Sequence, residues 1–190
     1  MNAESHLSYN LSDYNSSERQ VTFDGEGYFR VAKNPDNPFS IHAKGLKVSV
    51  LGTTFNLRAR SSDSVAELSL EEGSVCFQAL KTGQKVVLSP NQKAVLDQRN
   101  GTVTIEEDLR ITDASSWRRG ELVFRNVPFA KVLEEIEKVY RVSIILEVDG
   151  ELYRNDLFTG VMSRTNINEV LEVIELSLIH ISEPTRHSLI

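Results

Sequence analysis

Apolar and polar residues alternate along the first 113 positions. Phe39, Ile41 and Ala43 alternate, as do Leu46, Val48 and Val50, then Ala66, Leu68 and Leu70, then Val75, Phe77 and Ala79. A period of two sends one face of each run into a core and the other into water, which predicts β-strands. Turn formers separate the runs: Asn34-Pro35-Asp36-Asn37-Pro38, Gly45, Gly73, Lys81-Thr82-Gly83, Ser89-Pro90-Asn91 and Asn100-Gly101. Asn-Gly predicts a type I′ hairpin turn with positive φ at both central residues. Val103 and Ile105 resume the alternation. There is no helical period before Asp113. Short strands at such spacing predict a mainly β module, either a β-solenoid or a sandwich.

The pattern changes after the polar break Asp113-Ala114-Ser115-Ser116, which is the predicted boundary between a domain at 1–113 and one at 114–175. Residues Leu122 to Arg125 read as a strand. Asn126 offers an N-cap ahead of Pro128, and proline is tolerated in a first helical turn. Phe129, Val132, Leu133, Ile136, Val139 and Tyr140 then recur at three-and-four spacing, the stripe of an amphipathic helix. Val142, Ile144 and Leu146 predict a second strand, and 157–162 a third. Asn166 with Glu169 predicts a helix start, and Ile167, Val170, Leu171 and Ile174 a second stripe. The order is βαββα, a small α+β module of split βαβ type lacking its last strand. Residues 176–190 resemble a translated sequencing adapter, so the natural sequence is expected to end near Glu175, and His180 and His187 carry no chemical weight.

Composition narrows the function. The net charge of −6 and pI near 5.3 lack the basic face a nucleic-acid partner needs. Cys76 is the single cysteine, so no intrachain disulfide forms, and its place in an alternating run predicts a packed thiol. No stretch reaches the ~18 apolar residues of a membrane span, and the first residues lack the regions of a signal peptide.

No catalytic constellation converges, so the chain reads as a non-enzymatic protein without cofactor or metal. Gly25-Glu26-Gly27 lacks the helix that a phosphate loop requires. The pairs Glu71-Glu72 and Glu106-Glu107 sit on strands, where adjacent side chains point to opposite faces, so neither predicts a shared carboxylate site. His6 and His42 have no ligand-spaced neighbours. Gly52-Thr53 supports two readings. Gly52 supplies a turn or bulge and Thr53 satisfies a backbone group, or the Thr53 hydroxyl attacks the preceding carbonyl and the chain cuts itself. Trp117, at the domain junction, reads as a packing anchor, with a sugar-stacking platform as the alternative. A small open sheet also presents unpaired edges, which suit β-augmentation by a partner. That assigns Val142, Ile144, Leu146, Phe158, Gly160 and Met162 to a partner-binding surface.

Several blocks, in order, resemble the periplasmic part of FecR-family regulators. They are GEGYFRVA (25–32), NPFSIHAKGLKVSVLGTTFNL (37–57), LEEGSVCF (70–77), LSPNQKAVL (88–96), SWRRGELVFRNVPFAKVLEEIEKVYRVSII (116–145) and FTGVMSRTNINEVLEVI (158–174). The second module resembles the family's C-terminal domain in Bacteroidetes, related in fold to the secretin/TonB short N-terminal domain. The resemblance implies a transmembrane anti-sigma factor anchored in the inner membrane, with these residues in the periplasm. Its partners would be the signalling domain of a TonB-dependent outer-membrane transporter and, through a cytoplasmic domain, an extracytoplasmic-function sigma factor. The transported substrate would be an iron chelate or a glycan. Some relatives are cut at a matching Gly-Thr. The chain departs from the family in lacking the cytoplasmic domain, the membrane helix and the closing strand, which predicts a fragment. The competing reading is a surface carbohydrate- or ligand-binding β module.

Overall fold

The alternating runs before residue 113 become strands whose apolar rows face one core, apart from Ile105, which is 43% exposed. The computed structural model describes residues 1–11, 14, 19–145 and 156–182. Its chain divides into two units, Met1–Ser115 and Ser116–Ile190.

The first unit holds β1 (His6–Ser8), β2 (Arg19–Val31), β3 (Phe39–Ala43), β4 (Leu46–Val50), β5 (Thr53–Ala59), β6 (Val65–Glu72), β7 (Val75–Ala79), β8 (Lys85–Leu88), β9 (Gln92–Asp97) and β10 (Val103–Glu107). They form one ten-stranded sheet in the order β10-β9-β6-β5-β2-β3-β4-β7-β8, with β1 beside β2. The long β2 makes this path possible. Its first residues pair in parallel with β3, and from Gly25 onward it pairs antiparallel with β5. One strand thus serves both halves, and both halves close over one apolar cluster. Phe29 stacks on Phe55 at 5.2 Å and meets Phe23 edge-on at 5.3 Å. The two ends of the path meet through a side chain. The Gln84 amide donates to the Val103 carbonyl and accepts from the Val103 N–H, both at 3.1 Å, as a strand's peptide group would. The sheet is therefore curled nearly into a barrel.

Two local expectations change. The β9–β10 loop is longer than a type I′ turn, and only Gly101 takes positive φ there. The Asp97 carboxylate accepts the Arg99 N–H at 2.8 Å, which favours the longer loop. Cys76 lies on the outward row of β7, half-buried, while Val75 and Phe77 fill the core. A 3-10 helix, Ile111–Arg119, follows β10 and carries Trp117, which is half-buried.

The second unit holds β11 (Glu121–Pro128), α1 (Phe129–Tyr140), β12 (Leu157–Ser163) and α2 (Ile167–Ser182). β11 and β12 pair antiparallel. Leu122, Phe124, Phe158 and Met162 from the sheet meet Phe129, Val132 and Ile136 of α1 and Val170 and Ile174 of α2. The expected strand at Val142–Leu146 is not formed. Residues 142–145 have no regular structure, and Leu146 lies outside the described residues. Arg141 ends α1 in the left-handed conformation, and the Ile144 N–H donates to Glu137 at 2.7 Å, which bends the chain back against the helix. Asn126 does not cap α1. It sits at positive φ in the β11 irregularity, its amide donates to Thr159 at 2.9 Å, and the helix starts three residues later. Asn166 does cap α2. Its side chain accepts the Asn168 N–H at 3.1 Å and donates to Glu169 at 2.8 Å. No helix among the described residues is long and apolar enough to cross a membrane.

Candidate functional site

In the first unit, a cleft of about 540 Å³ opens over the outer face of β2, β5 and β6. Tyr28, Arg30 and Lys33 line one side, Glu71 and Glu72 the other, and Gly52, Thr53 and Thr54 the middle. A register shift where β5 pairs β6 sets Glu72 against Thr54 but Leu70 against Phe55. This bulge leaves Glu71 as the extra residue and turns both carboxylates into the cleft. The alternation rule would have separated them. The Glu71 carboxylate accepts the Tyr28 hydroxyl at 2.7 Å and the Ser115 hydroxyl at 3.1 Å. Burial of Ser115 makes the second bond a structural tie to the 3-10 helix.

Gly52 and Gly73 meet at the floor. A Cβ on Gly52 would lie 2.6 Å from the Lys33 backbone, and one on Gly73 would lie 2.6 Å from the Gly52 carbonyl oxygen. Only glycine permits these approaches. The Thr53 hydroxyl donates to the Ser74 carbonyl at 3.1 Å. A carbonyl holds that proton but is too weak a base to take it, and among the described residues no carboxylate, imidazole or amine is bonded to the hydroxyl.

In the second unit, the sheet has its helices on one face. Of the residues assigned from sequence to partner binding, Phe158 and Met162 are buried at 9% and 3% exposure. Gly160 lies on the same inner row, where an added Cβ would meet the Phe158 ring at 2.8 Å, Ile144 packs on the core, and Val142 is exposed outside any strand. The open row of β12 is Leu157, Thr159 and Val161, with Leu157 65% and Val161 52% exposed. Sequence reasoning missed it by choosing the apolar phase that the core had already taken. Behind the sheet, the Tyr140 hydroxyl donates to the Ser163 carbonyl at 2.6 Å, and burial, then the nearby Glu169 charge, push its pKa up. Among the described residues no cluster of acids, histidines or cysteines could hold a metal ion.

Known proteins resemble both units. The family model described as FecR protein matches residues 1–76, and that described as FecR, C-terminal matches residues 121–183. A crystal structure of a candidate anti-sigma factor from Parabacteroides distasonis ATCC 8503 at 1.65 Å resolution superposes with a TM-score of 0.74 at 24% identity, covering 91% of this chain and 79% of that one. A second structure described in the same words, at 2.50 Å, gives a TM-score of 0.74 at 25% identity over 91% of this chain and 78% of that one. No curated protein matches significantly.

Proposed function

The chain belongs to the FecR family, and from that premise we propose that it is the signal-receiving part of a transmembrane anti-sigma factor. In this reading both units lie in the periplasm, and a cytoplasmic domain of the same protein holds an extracytoplasmic-function sigma factor. The signal comes from the periplasmic signalling domain of a TonB-dependent transporter. The observation that carries the reading is the succession of the two family matches, one on each unit.

The second unit supplies the docking surface. β12 has no strand on its outer side among the described residues, so its main-chain groups can extend the sheet onto a partner strand. Leu157, Thr159 and Val161 supply the side-chain row that selects the partner. Phe158 and Met162, assigned from sequence to partner binding, support that row from the core.

Binding of the purified chain to the signalling domain of a transporter encoded beside it tests the proposal by calorimetry. Val161→Arg is expected to weaken binding by about tenfold or more without changing the melting temperature. A chain that binds no such domain, or a Val161→Arg variant that binds as the parent does, would sink the assignment of this edge.

A further inference from the structure

We propose that the cleft over β2, β5 and β6 binds a small zwitterion, an amino acid or dipeptide, with its carboxylate at Arg30 and Lys33 and its ammonium at Glu72. The inference concerns the first unit alone and does not depend on the function proposed above.

The register fixes the arrangement. Arg30 pairs with Thr54, and Thr54 pairs with Glu72, so the three residues form one row across adjacent strands. Their outer backbones are two strand spacings apart, about 10 Å. A cation and an anion thus face each other across a threonine, with room for a short polar molecule between them.

Three further observations point to a ligand. First, Thr54 lines the middle of the cleft, and its hydroxyl makes no hydrogen bond among the described residues. That hydroxyl is open to the cleft and held by no protein group among them, so a ligand's polar group can take the place of water on it. Second, Arg30, Lys33 and Glu72 make no ion pair among the described residues, although charges elsewhere on this sheet do. Arg58 pairs with Asp63 at 3.2 Å and Lys93 with Glu106 at 2.9 Å. Third, the bulge that brings Glu72 into the cleft gives up a regular ladder position to do so, and bulges re-aim side chains next to binding sites. Glu71 is already engaged by Tyr28 and Ser115, which leaves Glu72 as the open acceptor.

Glycylglycine is the probe, titrated into the full chain and followed by the amide signals of Thr54 and Glu72 in nuclear magnetic resonance spectra. The expected result is saturable binding at one site. Acetyl-glycylglycine, which lacks the ammonium, and glycylglycinamide, which lacks the carboxylate, should each bind about tenfold more weakly. Thr54→Val keeps the shape and removes the hydroxyl. It should melt as the parent does and lose about fivefold in affinity. Absence of saturable binding by glycylglycine would overturn the proposal, as would equal binding of all three compounds.

Discussion

Replacing Gly73 by alanine tests the packing at the cleft floor, and Gly83→Ala is its control. Both glycines have positive φ, +91° and +73°, so alanine meets a backbone penalty at each. That penalty is about 1–2 kcal/mol for an L residue in the left-handed region. The two sites differ in space. A Cβ on Gly83 meets nothing within 4 Å, whereas one on Gly73 lies 2.6 Å from the Gly52 oxygen and 3.2 Å from the Thr53 Cα. Backbone cannot rotate away as a flexible side chain can, so the β5 entrance must shift. Overpacking of this kind costs about 1–3 kcal/mol more. Gly83→Ala should therefore lose about 1–2 kcal/mol and Gly73→Ala about 2–5 kcal/mol. For a unit the size of Met1–Ser115, that is roughly 4 °C of melting temperature per kcal/mol. Thermal unfolding followed by far-ultraviolet circular dichroism, with urea titration to check that the slope is unchanged, measures both. Losses equal within about 0.5 kcal/mol would refute the close contact between Gly73 and Gly52.

Ile136→Ala removes a fully buried side chain from α1 and should cost about 2–5 kcal/mol in urea unfolding, with hydrogen exchange in β5 and β6 unchanged. Asp24 accepts the Ser61 hydroxyl at 2.7 Å and the Ser61 amide at 2.9 Å, and these bonds hold its pKa below the ordinary 3.8. Its contribution is thus complete above that value and lost as pH falls through the folded-state pKa; the parent's urea midpoint should drop more steeply there than that of Asp24→Asn. Because Thr53 is bonded to a carbonyl and not to a base, purified chain should stay intact on incubation, and a new N-terminus at Thr53 by Edman sequencing would contradict this. A double-mutant cycle of Glu71→Ala with Ser115→Ala should show a coupling of about 1–2 kcal/mol, and additivity within about 0.3 kcal/mol would remove the tie.

The alternating runs were legible because a strand with one wet face leaves its period in the sequence. β3, β4, β6 and β7 carry that signal plainly. β5 carries it too, with Phe55, Leu57 and Ala59 inward and Thr54, Asn56 and Arg58 outward, but the burial of Thr54 and Asn56 on the outer row is not readable from that period. The amphipathic stripe gave α1, since Val132 and Ile136 recur at helical spacing. Residues 142–145 failed for a physical reason: Val142 and Ile144 alternate as a strand would, but a left-handed Arg141 and the Glu137 hydrogen bond fold that segment back on α1. Local pattern cannot see such a tertiary contact. The cleft was invisible for a related reason. Strand alternation assigns Glu71 and Glu72 to opposite faces, and only the pairing with β5 reveals the bulge that reunites them.

That bulge has two consequences that belong together. One extra residue in β6 gives the sheet two adjacent carboxylates on the same side, and the structure uses them differently. Glu71 is taken up by the hydroxyls of Tyr28 and Ser115. Hydrogen bonds to an ionised acceptor are stronger than neutral ones, so these bonds fix Tyr28 as a wall of the cleft and hold the 3-10 helix where the chain leaves the first unit. Glu72 is left facing solvent opposite Arg30. Any ligand that competes for Tyr28 or draws Glu71 toward its own ammonium therefore acts on the same carboxylate that anchors Ser115. Such a ligand would link binding in the cleft to the hold on Ser115, and the linkage would be reciprocal.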